Sequence, residues 1–228
     1  MYNSSSVARC ERSLRPSKVC SNAAVDFIGF YYRHVAVSPG MQSLRMWQDV
    51  ANYIGLDYYL MGRLDNHQDK SGYIRVKRAF NYIAEHEEIY KNMRIKGDAL
   101  LIRYARYGAS FEARGWIRAL TESHILLEES DPDNISSLED IERFKAVIFA
   151  DIQTIPQKLA EIVDEYVKNG GCLIITGETG RYDEEGNERG NIAFDSIGAV
   201  KTGYHRADMR SAMFELRDSE RQKFPSLI

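Results

Sequence analysis

From Gly97 onward, short apolar runs alternate with amphipathic stretches, the pattern of a parallel sheet covered by helices. Ala99–Ile102, Ile125–Leu127, Ala146–Ala150 and Cys172–Thr176 read as strands, expected near 99–103, 125–129, 145–150 and 172–176. The third is almost wholly apolar, as strands buried on both faces are. Between them, Glu112–Ser123 reads as a helix with Trp116, Ala119 and Leu120 inward, and Ser136–Arg143 as a short helix or turn. Pro156 opens the best-marked helix, with Leu159, Ile162, Val163, Tyr166 and Val167 on one face. Gly170 and Gly171 end it.

The first half follows a different pattern. Residues 1–18 are polar and read as loop or a loosely anchored terminus. Ala23–Phe27 and Val35–Val37 are short extended segments, and Pro39-Gly40 marks a turn. Leu44, Trp47, Ala51 and Ile54 then recur at helical spacing up to Gly55. Asp57–Gly62 is a strand, and after a polar loop Tyr73, Val76, Phe80 and Ile83 define a second helix whose stripe fades at Glu87. Lys91–Gly97 is the expected domain boundary. Two strand–helix units are too few to close a β/α barrel, so Trp47, Val50 and Tyr58–Met61 are expected to expose apolar surface. Arg181–Gly190 reads as a surface hairpin or loop, and the pattern is lost after Asp208, with Arg217–Lys223 expected to fray.

Composition narrows the options. With 44% hydrophobic and 28% charged residues the chain is ordinary for a globular protein, and a net charge of −3 offers no electrostatic case for nucleic acid or anionic membrane. No run is long and apolar enough to span a membrane or act as a secretory leader. Cys10, Cys20 and Cys172 are odd in number and match no ligand spacing, which argues against structural zinc or a disulfide framework. A cytoplasmic protein without metal or other cofactor is expected.

The α/β half is flavodoxin-like in pattern, which raises three chemistries. A phosphate cradle after the first strand needs small residues, but Arg103–Ser110 has one glycine and two tyrosines. Amidotransferase chemistry needs a cysteine on a tight strand-to-helix turn; the third strand runs into Asp151 and Ile152, and Cys172 opens a strand, where a buried apolar role is expected. Gly177–Gly180 follows a parallel strand, an address for ligands but also an ordinary strand exit. Asp183–Glu188 lacks EF-hand spacing and reads as solvated. In the first half, Arg33, His34, Arg63, Asp65, Asn66, His67 and Asp69 gather near strand ends, where barrel enzymes bind substrate. Their planar groups suit adjacent sugar hydroxyls. Arg63 paired with Asp65 or Asp69 in a structural network is the competing reading.

Several segments resemble a known family. SNAAVDFIGFYYRHVAVSP at 21–39, DYYLMGRLDNHQDKSGY at 57–73 and FNYIAEHEEIY at 80–90 resemble the end of the β/α barrel in glycoside hydrolases related to the family 42 β-galactosidases. ALLIRY at 99–104, RGWIRALTESHI at 114–125 and VKNGGCLIITGETGRYDEEGNERG at 167–190 resemble the trimerisation domain that follows it. The resemblance implies a non-catalytic, class I amidotransferase-like α/β sheet preceded by the terminal strand–helix units of a barrel. It divides the chain into a barrel portion at 1–92, a trimerisation-like domain at 93–215 and an unassigned tail at 216–228. It further implies a carbohydrate substrate in the complete enzyme, a homotrimer, and Arg33, His34, Arg63, Asp65, Asn66 and His67 on the substrate-binding face. Of the carboxylates considered, Asp26, Asp65 and Asp69, none is identified as catalytic, and the chain alone is expected to be inactive. The alternative is a stand-alone, non-catalytic α/β interaction or ligand-binding module.

Overall fold

The computed structural model describes residues 2–15, 17–91, 93–105 and 108–198. The end of the 93–215 segment and the 216–228 tail, with Arg217–Lys223, lie outside the described residues. In chain order the elements are α1 (Asn3–Leu14), β1 (Ser21–Val25), α2 (Pro39–Ala51), β2 (Gly55–Tyr59), α3 (Tyr73–Glu85), α4 (Glu87–Tyr90), β3 (Ala99–Ile102), α5 (Phe111–Glu122), β4 (Leu127–Ser130), β5 (Ala146–Ala150), α6 (Gln157–Lys168) and β6 (Cys172–Thr176).

β1 and β2 pair in parallel, Ala23 opposite Asp57, with α2 as the crossover. The other four strands form one parallel sheet in the order β4-β3-β5-β6. Numbered within that sheet this is 2-1-3-4, the flavodoxin-like order. Side chains alternate across it as the pleat requires. Leu100, Ile102, Val147 and Phe149 pack with Leu159, Val163 and Tyr166 of α6, while Leu101, Ile148 and Ala150 pack with Ala113, Ile117 and Leu120 of α5. α5 begins where Ser110 accepts a hydrogen bond from the Ala113 N–H at 3.1 Å. α6 ends at Gly170, whose φ of +96° favours glycine. At Gly171 a Cβ would collide with the Tyr166 ring.

Several expectations shift. The sequence-derived 125–129 strand is displaced to Leu127–Ser130, and Ile125 and Leu126 are exposed. Glu128 and Glu129 lie in both spans, but the strand starts after the exposed Ile125 and Leu126 and runs on to the buried Ser130. The Asp57–Gly62 strand begins two residues earlier, at Gly55. On α5 Ala119 faces solvent, and the inward positions are Ala113, Ile117 and Leu120 with Trp116 at their edge. α2 is rotated from the expected stripe: Leu44 and Ala51 are exposed, while Gln42, Met46, Asp49 and Val50 are buried. Polar ties choose that face. Gln42 Nε2 donates to Val25 O at 3.1 Å, and Asn22 Nδ2 donates to Asp49 Oδ1 at 2.9 Å, so α2 is fastened to β1 by its polar side. Val50 is therefore core, contrary to its expected exposure. The first unit nonetheless leaves Ile28, Phe30, Leu64, Ile74 and Ile89 more than half exposed. On α3, Phe80 is also exposed, and Ala79 replaces it in the buried stripe with Val76. Cys172 is exposed on the edge strand β6 rather than buried.

The largest correction is α1. Residues expected to be loop form a 12-residue helix packed against β4. Its buried face is Ser5, Ser6, Ala8, Arg9 and Cys10, with little apolar content to betray it. What holds it is Glu129, whose side chain is 0% exposed. Glu129 accepts from Arg9 Nε at 2.8 Å, from Arg103 Nε at 2.7 Å and from Ser6 Oγ at 2.6 Å. Tertiary partners, not helix propensity, make this helix.

Candidate functional site

The carboxyl ends of β1 and β2 open into a cleft of about 520 Å³. Asp26 directly follows β1, and its backbone N–H donates to Tyr59 O at 2.8 Å, continuing the ladder to the cleft floor. The carboxylate is 3% exposed. It accepts from Gln42 Nε2 at 3.0 Å and lies 3.8 Å from His67 Nδ1. The other ring nitrogen, Nε2, is 2.7 Å from Met61 O, a contact in which it must donate. His67 is thereby clamped between its own loop and the strand end.

That loop stitches itself together. Gly62 turns at φ +98°, the Arg63 N–H donates to Asn66 Oδ1 at 3.3 Å, and Lys70 Nζ reaches Asp65 O at 2.9 Å. The Ser71 N–H donates to Asp69 Oδ1 at 2.9 Å, and Ser71's side chain and backbone hold the Asp69 carboxyl below its usual range. Under the cleft, burial first and then Asp26 raise the Tyr58 hydroxyl well above an ordinary phenol. Tyr73 shifts the same way, from burial first and then Asp26 and Asp69. Both phenols stay neutral and act as wall, not as bases.

Of the six residues expected to bind substrate, Arg33, His34, Asn66 and His67 line this cleft, together with Asp26 and Asp69. Arg63 and Asp65 do not line it. They pair with each other at 2.7 Å, with side chains 78% and 64% exposed, as the structural reading of that pair anticipated. Gln42 was missed. Its signal is a glutamine on a helix face otherwise carrying Met46 and Val50, which is legible only once the rotation of α2 is known. The arrangement offers planar donors and acceptors to a hydroxyl-rich ligand. It does not present an acid/base pair: Asp26 is buried and engaged, and Asp69 is held by Ser71.

At the carboxyl ends of the second sheet, Tyr104, Pro132, Thr154, Pro156 and Leu159 line a further cavity of about 350 Å³, whereas the turn after β6 is braced by the chain itself. Tyr104 Oη reaches Thr154 O at 3.5 Å across the ends of β3 and β5. After β6, Thr179 Oγ1 donates to Thr176 O at 2.7 Å and accepts from the Ile152 N–H at 3.1 Å, while Asp151 accepts from the Glu178 N–H at 3.1 Å. Gly177–Gly180 is thus a braced turn. Among the described residues no group of three or more His, Cys, Asp or Glu is placed to hold a metal ion, and no helix is long and apolar enough to cross a membrane.

These features define a four-stranded parallel α/β domain preceded by a β-α-β unit whose cleft lies at the strands' carboxyl ends. Residues 99–191 match the family model described as the β-galactosidase trimerisation domain. Among solved structures, a β-galactosidase from Bacillus circulans sp. alkalophilus is 14% identical, with a TM-score of 0.66 over 82% of this chain and 32% of that one. A cold-adapted β-galactosidase from Rahnella sp. R3 is 13% identical, with a TM-score of 0.65 over 86% and 33%. The α-L-fucosidase isoenzyme 2 from Paenibacillus thiaminolyticus is 16% identical, with a TM-score of 0.58 over 82% and 28%. The chain spans about a third of the length of these structures. At such identities the likeness is one of fold. No curated protein sequence matches the chain.

Proposed function

We propose that this chain is the C-terminal part of a glycoside hydrolase related to the family 42 β-galactosidases. In this reading residues 1–92 supply the last units of a β/α barrel and part of its active-site rim, and residues 93–215 assemble the enzyme as a homotrimer in the cytoplasm. The observation that carries it is a single stretch of similarity. The match to a β-galactosidase fold covers 82% of the chain, and 99–191 match the trimerisation domain.

Arg33, His34, Asn66 and His67 then hold sugar hydroxyls, with Asp26 fixing His67. Arg63 and Asp65 sit on the outer rim, where Lys70 and Asn66 brace the loop that carries them. The two catalytic carboxylates come from other barrel strands, so the chain alone is inactive toward an aryl β-galactoside. Sedimentation velocity of the full chain tests assembly; a strictly monomeric species at high concentration removes the trimer. Robust hydrolysis by the isolated chain overturns the incomplete-site reading. The engaged state of Asp26 also favours a second reading, a non-catalytic α/β interaction module. Adding the remaining barrel of a relative in trans separates the two, because only the first predicts restored turnover.

A further inference from the structure

A second cavity, of about 380 Å³, lies where α1, the segment before β3 and β4 meet. Its lining carries four guanidiniums, Arg9, Arg12, Arg94 and Arg143, against two carboxylates, Glu128 and Glu129. Both carboxylates are already occupied. Glu129 is shared between Arg9, Arg103 and Ser6. Glu128 takes both ends of Arg143, at 3.0 and 2.6 Å, and the Gly97 N–H at 2.6 Å. Arg12 and Arg94 make no ion pair among the described residues. Arg9 is 9% exposed, and its Nη2 is buried without an acceptor. Four positive charges against two negative leave a surplus of two.

We propose that this seam binds a phosphate dianion, free or as a phosphate monoester, held by Arg12 and Arg94 in the field of Arg9. A guanidinium stays charged at any working pH, and its planar fork suits the edge of a tetrahedral oxyanion. A dianion matches the surplus charge of the lining. The site is separate from the cleft at the β1 and β2 ends, sharing no lining residue with it. Because it joins α1 to the segment entering the second sheet, occupancy stabilises their junction by mass action.

The test is calorimetric titration of the full chain with inorganic phosphate in one arm and glycerol 3-phosphate in the other, chloride holding ionic strength constant. The variant is the double substitution Arg12→Gln/Arg94→Gln. Neither residue touches Glu129, and an unchanged urea midpoint without phosphate verifies the fold. Arg114→Gln, exposed on α5, is the control. Saturable binding in either arm is expected, weakened about tenfold or more in the double variant and unchanged in the control, as loss of a charge-assisted hydrogen bond requires. Tighter binding of the monoester identifies it as the natural form; tighter binding of inorganic phosphate identifies the free ion. No saturable heat in either arm, or equal affinity in the double variant, overturns the proposal.

Discussion

Replacing Glu129 by glutamine tests whether α1 is held by charge. The carboxylate is fully buried and receives three hydrogen bonds of 2.6 to 2.8 Å, two of them from arginines. The amide keeps the shape but turns an NH2 toward donors that need an acceptor, and leaves two guanidiniums without a counter-charge. Removing one partner of a buried ion pair costs about 3–5 kcal/mol, a large share of the roughly 5–15 kcal/mol that stabilises a domain. For a chain of this size that lowers Tm by roughly 6–20 °C. Urea unfolding followed by circular dichroism measures it, with thermal melts as a second reading. A compensated variant separates lost charge from lost packing. Arg9→Met/Arg103→Met/Glu129→Leu removes the whole cluster, and apolar replacement of a buried ion cluster is often neutral or stabilising, so it should recover most of the loss. A Glu129→Gln destabilisation below about 1 kcal/mol would mean that water satisfies these groups as well as the protein does, and the account of α1 would fail.

Asp49 gives a pH signature. Its carboxyl is raised by burial from 3.8 to about 6, with only Asn22 opposing the shift. The folded state therefore keeps a proton that the unfolded chain releases, and stability falls as pH rises through that window; Asp49→Asn should flatten urea midpoints between pH 4 and 7, and an unchanged slope would refute this. Leu159→Ala, emptying a 4% exposed core position under β5, should cost about 2–5 kcal/mol in the same assay. Arg63→Ala should cost at most about 1 kcal/mol, because its partner is as solvated as it is. In a full-length relative, Arg33→Ala should weaken substrate binding more than Arg63→Ala; equal effects would remove the cleft's claim over the rim.

The second sheet was largely legible because burial on both faces leaves a continuous apolar signal. Ala146–Ala150 and Cys172–Thr176 were placed to the residue, and α6 lies between its proline and glycine. β4 slipped because buried polar residues, Glu129 and Ser130, carry its end while the apolar Ile125 and Leu126 lie outside it. α1 was missed for the same reason: Ser6 and Arg9 face inward only because Glu129 awaits them across 120 or more residues. Long-range polar pairing leaves no periodic trace. The candidate site shows both outcomes. Arg33, His34, Asn66 and His67 line the cleft from positions near the strand ends that the pattern marks, whereas Asp26, expected inside the Ala23–Phe27 segment, needed the true end of β1 and Gln42 the rotation of α2.

The same polar logic explains how the cleft is built. Asp26 ends β1, takes Gln42 from α2 and faces His67 from the loop after β2, so one carboxylate joins a strand, a helix and a loop. A group so engaged orients neighbours and is poorly suited to attack a substrate, since each role it fills removes a lone pair from chemistry. In the second sheet Thr179 and Asp151 brace the turn after β6 in the same way, while Tyr104 and Thr154 line a cavity of about 350 Å³ at the β3 and β5 ends. The ligand contact proposed for the β1 and β2 cleft depends on Asp26 remaining an organiser. If Asp26→Asn left the position of His67 unchanged, as read from its imidazole NMR resonances, that organising role would be lost, and with it the reason to treat the cleft as a built site.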